Sequence, residues 1–375
     1  MTRRPAFLLI GGFAESVVRF RGHLIQTLIA RGFEVHVAAA GIMDAEMVRA
    51  SLQSMGAIPH SIGLVRGGTN PGSDVRGFID LVRLIRRIRP HVVLGYTIKP
   101  VVYGMMAARL CGVPRRYALV TGLGQVFHQS VSWRTRWAAH GLYRVALRQA
   151  RCVILQNPDD LAYLLQRGVL TDTIRSVVVD GSGIDTEEYV QEPLPAQPSF
   201  VMISRLIGSK GVREYAAAAA AVRRLRPQVT FRLVGWIDEG PDAITTAELR
   251  QWQDEGCVDY VGRVTDVRPV LSATSVFVLP SVYGEGVPRT ILEAMAMGRA
   301  IITTDWPGCR ETVRGGENGI LVPPRDVEAL VEAMLRLIDA PDLVAQMGSR
   351  SRQIAVERYD GRRVTRAMLD AMDIG

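Results

Sequence analysis

The sequence predicts an α/β protein with two similar, doubly wound domains, and three observations lead to this prediction. The chain has 375 residues, which exceeds one ordinary domain of about 150 residues. Short apolar runs alternate with amphipathic stretches, which is the pattern of strands and helices around a parallel sheet. Three prolines within residues 191–198 disfavour both helix and central strand, so this segment is the predicted linker.

The first domain is predicted to contain five strands joined by helices. Apolar runs indicate strands at Phe7–Ile10, Glu34–Ala39, Val92–Gly95, Tyr117–Thr121 and Val153–Gln156. Amphipathic stretches indicate helices at Arg19–Arg31, Ala45–Met55, Val75–Ile88, Pro100–Leu110 and Trp133–Ala150. This alternation predicts a parallel sheet with helices on both faces.

The second domain repeats the alternation. Its predicted strands are Phe200–Ser204, Thr230–Val234, Val258–Val261, Val276–Leu279, Ala300–Thr303 and Ile320–Val322. Its predicted helices are Arg213–Leu225, Thr245–Glu255, Arg268–Ala273, Arg289–Met297 and Val327–Ile338. Sheets of this kind bind ligands beyond the carboxyl ends of their strands, so a cleft between the domains is the expected substrate site.

The composition excludes several classes of protein. With 48% hydrophobic and 22% charged residues, the chain is far from the composition of a disordered protein. The four cysteines have neither CxxC nor metal-ligand spacing, so we expect a reducing compartment, no disulfide framework and no zinc site. No apolar run reaches the roughly 18 residues that a membrane-spanning helix requires.

Positive charge is concentrated in the first half of the chain. Residues 1–195 carry 23 Lys and Arg against 14 Asp and Glu, whereas residues 196–375 carry 22 against 23. Residues 76–151 hold 14 basic side chains and one acid, Asp80. Such a block predicts a surface for an anionic partner or, alternatively, a solubilising face. Nucleic acid is not the expected partner, because the arginines alternate with apolar helix faces and do not accompany aromatic side chains on strands.

The segment Ser281–Gly298 is the most specific motif. It follows a predicted buried strand, and Pro288 suits a helix start because its fixed φ and missing N–H are tolerated there. Gly286 lets the backbone approach a ligand, while the helix N-terminus offers N–H groups to an anion. Glu285 and Glu293 add carboxylates that accept hydrogen bonds from a sugar or ribose diol. An ordinary Gly-Pro turn with two unrelated glutamates is the alternative.

Two cations, Arg205 and Lys210, follow the first strand of the second domain. An arginine fork and a lysine point charge can converge on a diphosphate. Lys99 and Lys210 are the only lysines among 45 basic residues. This suggests that arginine cannot replace lysine at these two positions. The alternative is that both are exposed lysines without a function. Because the chain contains no Asp-x-Asp, we expect these cations and the helix end to neutralise a leaving group, with neither a metal nor a cofactor.

Two glycine turns follow predicted strands of the first domain. Gly11 and Gly12 stand where a dinucleotide-binding domain has its phosphate loop, although the third glycine of GxGxxG is missing. The turn Thr121–Gly124 follows a later strand and is predicted to face the same cleft. Ordinary tight turns are an equally good interpretation of both.

Residues 133–148 predict a helix with aromatic and basic side chains. Trp133 and Trp137 share one stripe, with Arg134 and further arginines beside it. Tryptophan beside arginine is typical of a helix that lies in a membrane interface, which makes an anionic membrane surface an expected partner. The alternative is that the stripe faces the core.

Several of these segments together carry a family resemblance. In the second half they are Ser204–Gly211, Pro280–Ala294, Thr304–Glu311 and Gly319–Pro324. These segments resemble the family 4 retaining glycosyltransferases. In the first half, Phe20–Arg21, Tyr96–Pro100 and Thr121–Phe127 resemble the bacterial branch that extends undecaprenyl-diphosphate-linked sugars.

The resemblance implies a GT-B fold, in which two Rossmann-like domains face an interdomain cleft and a C-terminal helix crosses back. Residues 1–190 would face the acceptor and the membrane, residues 199–358 would bind the nucleotide sugar, and residues 359–375 would form the returning helix. The protein would be cytoplasmic and peripheral on the inner face of the cytoplasmic membrane. Its partners would be a nucleotide sugar and an undecaprenyl-diphosphate-linked glycan.

The matched motifs also imply a role for individual residues. The catalytic contacts would come from Arg205, Lys210 and Glu285. The donor-binding positions would be Gly11, Gly12, Arg263, Gly286, Val287 and Glu293. The acceptor or membrane side would include Arg21, Thr97, Lys99, Gly122, Trp133, Arg134 and Trp137. Many family members have a histidine where this chain has Gly122, which leaves that donor contact to Thr97 or Lys99.

The expected reaction is transfer of an N-acetylhexosamine from a UDP-sugar with retention, in which the departing diphosphate accepts the proton of the acceptor. Such catalysis needs positioning and charge stabilisation and no covalent nucleophile. The sequence around the base pocket does not separate uracil from guanine, so a GDP-mannose-dependent mannosyltransferase is an alternative. A nucleotide-sugar epimerase is a second alternative, from another class of enzyme.

Overall fold

The computed structural model describes residues 4–64, 71–124 and 132–375. Its contacts divide the chain into two units, which are described separately. The first unit comprises residues 1–182 with 361–375, and the second comprises residues 183–360. The motif residues 125–127 lie outside the described part of the chain.

The first unit contains a seven-stranded parallel sheet in the order β3-β2-β1-β4-β5-β6-β7. Its strands are β1 (Ala6–Ile10), β2 (Glu34–Ala39), β3 (Ile58–Ser61), β4 (Val92–Tyr96), β5 (Arg115–Val120), β6 (Cys152–Leu155) and β7 (Ser176–Val178). Its helices are α1 (Ala14–Ala30), α2 (Glu46–Ser54), α3 (Pro71–Ile88), α4 (Ile98–Leu110), α5 (Trp133–Leu147), α6 (Pro158–Gln166) and α13 (Gly361–Ala371). Separate apolar clusters cover the two faces of the sheet.

The second unit contains a six-stranded parallel sheet in the order β10-β9-β8-β11-β12-β13. Its strands are β8 (Ser199–Ile203), β9 (Thr230–Val234), β10 (Asp259–Gly262), β11 (Val276–Leu279), β12 (Ala300–Thr304) and β13 (Gly319–Val322). Its helices are α7 (Val212–Leu225), α8 (Thr246–Asp254), α9 (Arg268–Ser272), α10 (Arg289–Ala296), α11 (Val327–Ile338) and α12 (Pro341–Arg358). One continuous apolar cluster forms its core.

The proline-rich segment 191–198 lies inside the second unit, and the division between the units falls at Ser182. The buried guanidinium of Arg299 donates to the Glu192 carbonyl over 2.8 Å and to the Pro193 carbonyl over 3.3 Å. The prolines therefore mark a chain segment that is fixed to the second unit, whereas the sequence predicts a linker there.

A chain of hydrogen bonds through two histidines joins the edge of the first sheet to α3, and each group in it donates to the next. Arg87 NH2 lies 3.3 Å from His60 Nδ1, His60 Nε2 lies 2.9 Å from His36 Nδ1, and His36 Nε2 lies 2.8 Å from Glu34 Oε1. Because a guanidinium can only donate, His60 Nδ1 must accept, and each neutral ring then donates from Nε2 to the next group. Protonation of His60 would set a ring N–H against Arg87.

We expect this chain of bonds to make folding stability fall in mild acid. Burial, and after it His36 and Arg87, lower the pKa of His60 from 6.5 to about 4. The unfolded chain therefore binds more protons between these values, and stability is lost as the pH falls from 6.5 towards 4. The half-buried position limits the loss to roughly 1–2 kcal/mol. Urea denaturation at pH 7.5 and 5.0 should show a smaller pH effect in His60→Gln than in the parent protein; an equal effect would contradict the assignment.

Candidate active site

Two loops at the carboxyl edge of the second sheet are joined by backbone hydrogen bonds. Residues 204–211 follow β8, and residues 235–245 follow its neighbour β9. The Leu206 N–H donates to the Trp236 carbonyl over 2.9 Å, and the Ile244 N–H donates to the Leu206 carbonyl over 2.9 Å. The loop that carries both predicted cations is therefore held by the loop of the adjacent strand.

Arg205 and Lys210 meet at one aromatic ring. The Arg205 guanidinium carbon lies 5.2 Å from the Tyr283 ring centroid, and Lys210 Nζ lies 5.1 Å from the same centroid. Arg205 NH1 also pairs with Asp238 Oδ2 at 2.5 Å, and Lys210 pairs with Glu285. The Lys210 and Glu285 side chains are 12% and 14% exposed, so solvent screens their pair only partly. The structure thus brings the three predicted catalytic side chains together.

The shape of the loop around Lys210 depends on a glycine and an aspartate. Gly211 has φ +80°, and a Cβ there would collide with the Pro280 carbonyl. Asp242 Oδ2 accepts from the Ser209 N–H at 3.0 Å and from the Ser209 hydroxyl at 2.5 Å. The Val282 N–H donates to the Ser209 carbonyl over 2.8 Å, which joins this loop to the segment after β11.

Glu285, Gly286 and Val287 form the loop between β11 and α10. Gly308, which has φ +80°, packs against this loop; a Cβ there would lie 2.7 Å from the Glu285 carbonyl oxygen and still closer to that of Gly286. α10 starts directly after Pro288, as the sequence predicts. The Ile291 N–H bonds the Pro288 carbonyl, but the N–H groups before it in the first turn lack intrahelical acceptors, so this end of α10 suits an anion.

Glu293 is fully buried on α10. Its Oε1 accepts from Arg289 Nε at 3.1 Å and from the Tyr189 hydroxyl at 3.4 Å. Arg289 NH1 also donates to the Gly183 carbonyl over 3.0 Å. A buried carboxylate requires such donors. Glu293 therefore fastens α10 to residues 183–189, a structural role that the sequence pattern did not indicate.

The Arg263 guanidinium lies over the Trp236 ring. Arg263 directly follows β10, and Trp236 belongs to the loop after the neighbouring strand β9. The Arg263 guanidinium carbon lies 5.1 Å from the Trp236 ring centroid, and Trp236 is 39% exposed. A guanidinium and an exposed indole both have flat faces on which a planar base can stack.

The predicted glycines of the first unit pack against the end of β4. A Cβ on Gly11 would lie 2.5 Å from Tyr96 Oη, and one on Gly12 would lie 2.7 Å from Thr97 Oγ1. Thr97 has φ +68°, which is uncommon for a threonine. Arg21 is buried with its guanidinium carbon 5.1 Å from the Tyr96 ring centroid. Packing against the buried Tyr96 ring therefore accounts for Gly11, whereas a side chain at Gly12 would meet only the Thr97 hydroxyl closely.

Lys99 is held by an acidic partner near the start of α4. Its Nζ lies 2.7 Å from Asp74 Oδ1, and the Tyr103 hydroxyl donates to Asp74 Oδ2 over 3.0 Å. Burial, and after it this bond to Asp74, raise the pKa of Tyr103 to about 12. Gly122 lies in the turn after β5 with φ +105°, a conformation that only glycine adopts easily.

The aromatic stripe of α5 is directed to solvent. Trp133 and Trp137 are 67% and 75% exposed, and the Arg134 guanidinium carbon lies 5.5 Å from a Trp133 ring centroid. Leu142 and Val145 are also exposed. The buried residues of α5 are Tyr143, Ala146 and Leu147. The tryptophans therefore do not pack in the core.

Two family profiles match most of the chain. The profile of "Glycosyltransferase Family 4" matches residues 17–188, and that of "Glycosyl transferases group 1" matches residues 197–340. The chain belongs to the family 4 glycosyltransferases.

Two relatives of this family 4 glycosyltransferase have names that describe transfer to diphospho-undecaprenol-linked sugars. It is 26% identical to the N,N'-diacetylbacillosaminyl-diphospho-undecaprenol alpha-1,3-N-acetylgalactosaminyltransferase of Campylobacter jejuni, over 99% of this chain and 98% of that protein. It is also 26% identical, over 71% of each chain, to the UDP-Gal:alpha-D-GlcNAc-diphosphoundecaprenol alpha-1,3-galactosyltransferase of Escherichia coli.

Solved structures confirm the predicted GT-B fold. Sucrose-phosphate synthase from Thermosynechococcus elongatus superposes with a TM-score of 0.81 over 98% of each chain at 20% identity. Anabaena Alr3699/HepE in complex with UDP gives a TM-score of 0.77 over 98% of this chain and 99% of that one, at 19% identity. At these identities the likeness concerns the fold.

Sequence reasoning missed the residues that orient the cations of this family 4 glycosyltransferase. Tyr283, Asp238 and Asp242 contact Arg205, Lys210 or the loop between them. Tyr283 stands inside the recognised motif and could have been noticed as an aromatic side chain within a loop. The two aspartates follow a different strand, and no spacing in the sequence connects them to the cations.

In residues 4–64, 71–124 and 132–375, no three His, Cys, Asp or Glu side chains are grouped so that they could hold a metal ion. Within the same ranges, no helix combines the length and apolar character needed to cross a bilayer.

Proposed function

We propose that this family 4 glycosyltransferase transfers an N-acetylhexosamine from a UDP-sugar to a lipid-diphosphate-linked glycan, with retention and without a metal ion. The observation that carries the proposal is the convergence of Arg205 and Lys210 on Tyr283, next to the start of α10. The Campylobacter jejuni relative, whose name describes transfer of N-acetylgalactosamine to a diphospho-undecaprenol sugar, supports the substrate classes. The UDP bound to the HepE structure supports the base.

The proposed chemistry depends on relief of the leaving group's charge. As the bond from the sugar to the diphosphate breaks, negative charge accumulates on the departing phosphate oxygens. Arg205 offers a planar set of donors, Lys210 a point charge, and the first turn of α10 its N–H groups. The acceptor hydroxyl attacks from the face that the diphosphate leaves, and a diphosphate oxygen takes its proton. No covalent intermediate with the protein is required.

The remaining donor contacts follow from the same loops. Glu285, with the backbone of Gly286 and Val287, would bind the donor sugar. Glu293 would accept a hydrogen bond from the ribose, and the Arg263–Trp236 pair would stack on the base. Because Glu285 already pairs with Lys210, the lysine would lie between this carboxylate and the diphosphate.

The first unit would supply the acceptor side. Gly11 and Gly12 would close over the phosphates. We propose acceptor contacts from Thr97, Lys99 and Gly122, whereas Arg21, which is buried against Tyr96, would support this side from within the unit. The pair of Lys99 with Asp74 holds the ammonium group in place for such a contact.

A transfer assay with defined substrates tests this function. The purified protein should convert a short undecaprenyl-diphosphate-linked glycan and a UDP-N-acetylhexosamine into a product longer by one residue, detected by mass spectrometry. NMR of the product should show the anomeric configuration of the donor, and activity should survive EDTA. GDP-mannose in place of the UDP-sugar should give no product. Transfer from GDP-mannose alone would favour the mannosyltransferase, and a changed donor without transfer would favour an epimerase.

We further propose that α5 lies on an anionic membrane surface. Its exposed tryptophans offer amphipathic rings to the interface, and Arg134, Arg144 and Arg148 flank them. A cavity of about 550 Å³ beyond the other end of α5 is lined by Arg148, Arg151 and Arg175, and Asp373 pairs with the last two. Localisation on the inner face of the cytoplasmic membrane would place the enzyme next to its lipid-linked acceptor.

We expect W133A/W137A to weaken vesicle binding at least tenfold, because two exposed indoles no longer enter the interface. Co-sedimentation with phosphatidylglycerol-containing vesicles measures the effect, and the control is W236A, which removes a less exposed indole from the second unit. Transfer to a water-soluble acceptor analogue should be unchanged by the double substitution. Equal vesicle binding by both variants would exclude α5 as the membrane contact.

A further inference from the structure

The proposed diphosphate site contains a carboxylate, that of Asp238, to which the proposed reaction assigns no role. Asp238 Oδ2 lies 2.5 Å from Arg205 NH1, and Asp238 Oδ1 accepts from the Glu239 N–H over 2.9 Å. Both carboxylate oxygens are therefore fixed. The Arg205 and Asp238 side chains are 19% and 28% exposed, so water screens the pair incompletely.

The fold holds this carboxylate next to the cation. Asp238 belongs to the loop after β9, and that loop is bonded through its backbone to the loop that carries Arg205. The isolated bridge between Leu206 and Ile237 lies immediately beside the pair. The backbone of Asp238 is therefore held close to Arg205 by the contact between the two loops.

We propose that Asp238 competes with the diphosphate for Arg205 and thereby weakens the binding of both the donor and the nucleoside diphosphate product. The inference rests on the proposed function, since it takes Arg205 as a diphosphate ligand. Asp238 occupies one nitrogen of the guanidinium, and its charge repels an incoming phosphate at short range. The repulsion acts on the product as well as on the donor, and the product carries more charge on its terminal phosphate.

The consequence is faster release of the product. In many enzymes product release limits turnover, so a carboxylate that weakens product binding can raise the overall rate. Glu285 also pairs with a cation of the site, Lys210, but it has a second proposed role, as a ligand of the donor sugar.

Titration calorimetry with UDP tests the proposal. We expect Asp238→Asn to lower the dissociation constant of UDP about tenfold, equivalent to about 1.4 kcal/mol. Asp238→Ser should shift it in the same direction. The matched control is Asp339→Asn, which removes the carboxylate of another arginine pair of the second unit, Arg226–Asp339 at 3.1 Å, and should leave UDP binding unchanged. In an Arg205→Gln background, the gain from Asp238→Asn should disappear.

The outcomes separate the two proposals. If the parent protein binds neither UDP nor GDP, the proposed function fails and this inference fails with it. If the parent protein binds UDP but both Asp238 variants bind it equally or more weakly, Asp238 does not compete and the inference alone is overturned. A gain that persists in the Arg205→Gln background would also overturn it, because the competition would then not involve Arg205.

Discussion

Lys210→Ala is expected to lower kcat for sugar transfer by about 100- to 1000-fold, the loss seen when one preorganised donor to a developing negative charge is removed. The ammonium group lies beside Tyr283 and Glu285 in a partly buried position, so water replaces it poorly. The substitution also leaves the Glu285 carboxylate without its cation, which adds to the repulsion of the diphosphate. Initial-rate kinetics with the lipid-linked acceptor measure the effect.

The other lysine of the chain provides a matched comparison. Lys99→Ala removes an ammonium group that also pairs with a carboxylate, Asp74. It should raise the acceptor KM and leave UDP binding as in the parent protein, whereas Lys210→Ala should weaken UDP binding. Lys210→Arg should recover part of the rate, because the charge is kept but its position changes. If Lys210→Ala retained more than half of the parental kcat, the proposed charge stabilisation would be wrong.

Glu293 substitutions are expected to affect both stability and donor binding. Glu293→Ala removes one partner of a buried ion pair and should destabilise the protein by about 2–4 kcal/mol, somewhat less than for a fully buried pair because Arg289 keeps its bond to Gly183. Urea denaturation measures this loss. Donor KM should rise at least tenfold if the same carboxylate binds the ribose.

Glu293→Gln separates the structural contribution from the ligand contribution. The amide oxygen can still accept from Arg289 and Tyr189, so most of the stability should return. The amide carries no charge, and a ribose hydroxyl donates more weakly to it than to a carboxylate, so donor KM should stay raised severalfold. If Glu293→Gln had the same donor KM as the parent protein, Glu293 would not bind the ribose and would have a structural role only.

The buried strands could be predicted from the sequence more reliably than those at the sheet edges. Thr230–Val234 and Val276–Leu279 have the predicted bounds, because each is an apolar run rich in β-branched or aromatic residues. β3 was missed: it is an edge strand of four partly exposed residues that include Pro59 and His60. A strand that buries so little leaves no apolar signal.

α12 was missed for a related reason. Its buried face includes Gly348 and Ser351, which interrupt the apolar pattern. Gly348 is required by close packing, since a Cβ there would collide with the Gly298 carbonyl. Where an interface needs a small residue, hydrophobic periodicity fails although the helix is well packed.

The candidate site could be predicted only as far as its loops. Arg205, Lys210 and Glu285 could be selected because each stands in a motif after a strand. Asp238, the partner of Arg205, could not, because that contact depends on β9 lying beside β8 in the sheet. Tyr283 and Glu285 reach the cations because β11 lies on the other side of β8. The pairing of strands distant in sequence decides which side chains meet.

The helix α13 has a consequence for the order of folding during synthesis. Met368, Leu369 and Met372 belong to the same apolar cluster as Ile25 and Leu28 of α1, although more than 300 residues of chain separate them. All residues of the second unit, 183–360, are translated before this helix. We therefore expect residues 4–182 to complete their apolar core only after α13 has been synthesised, although most of that unit is translated first.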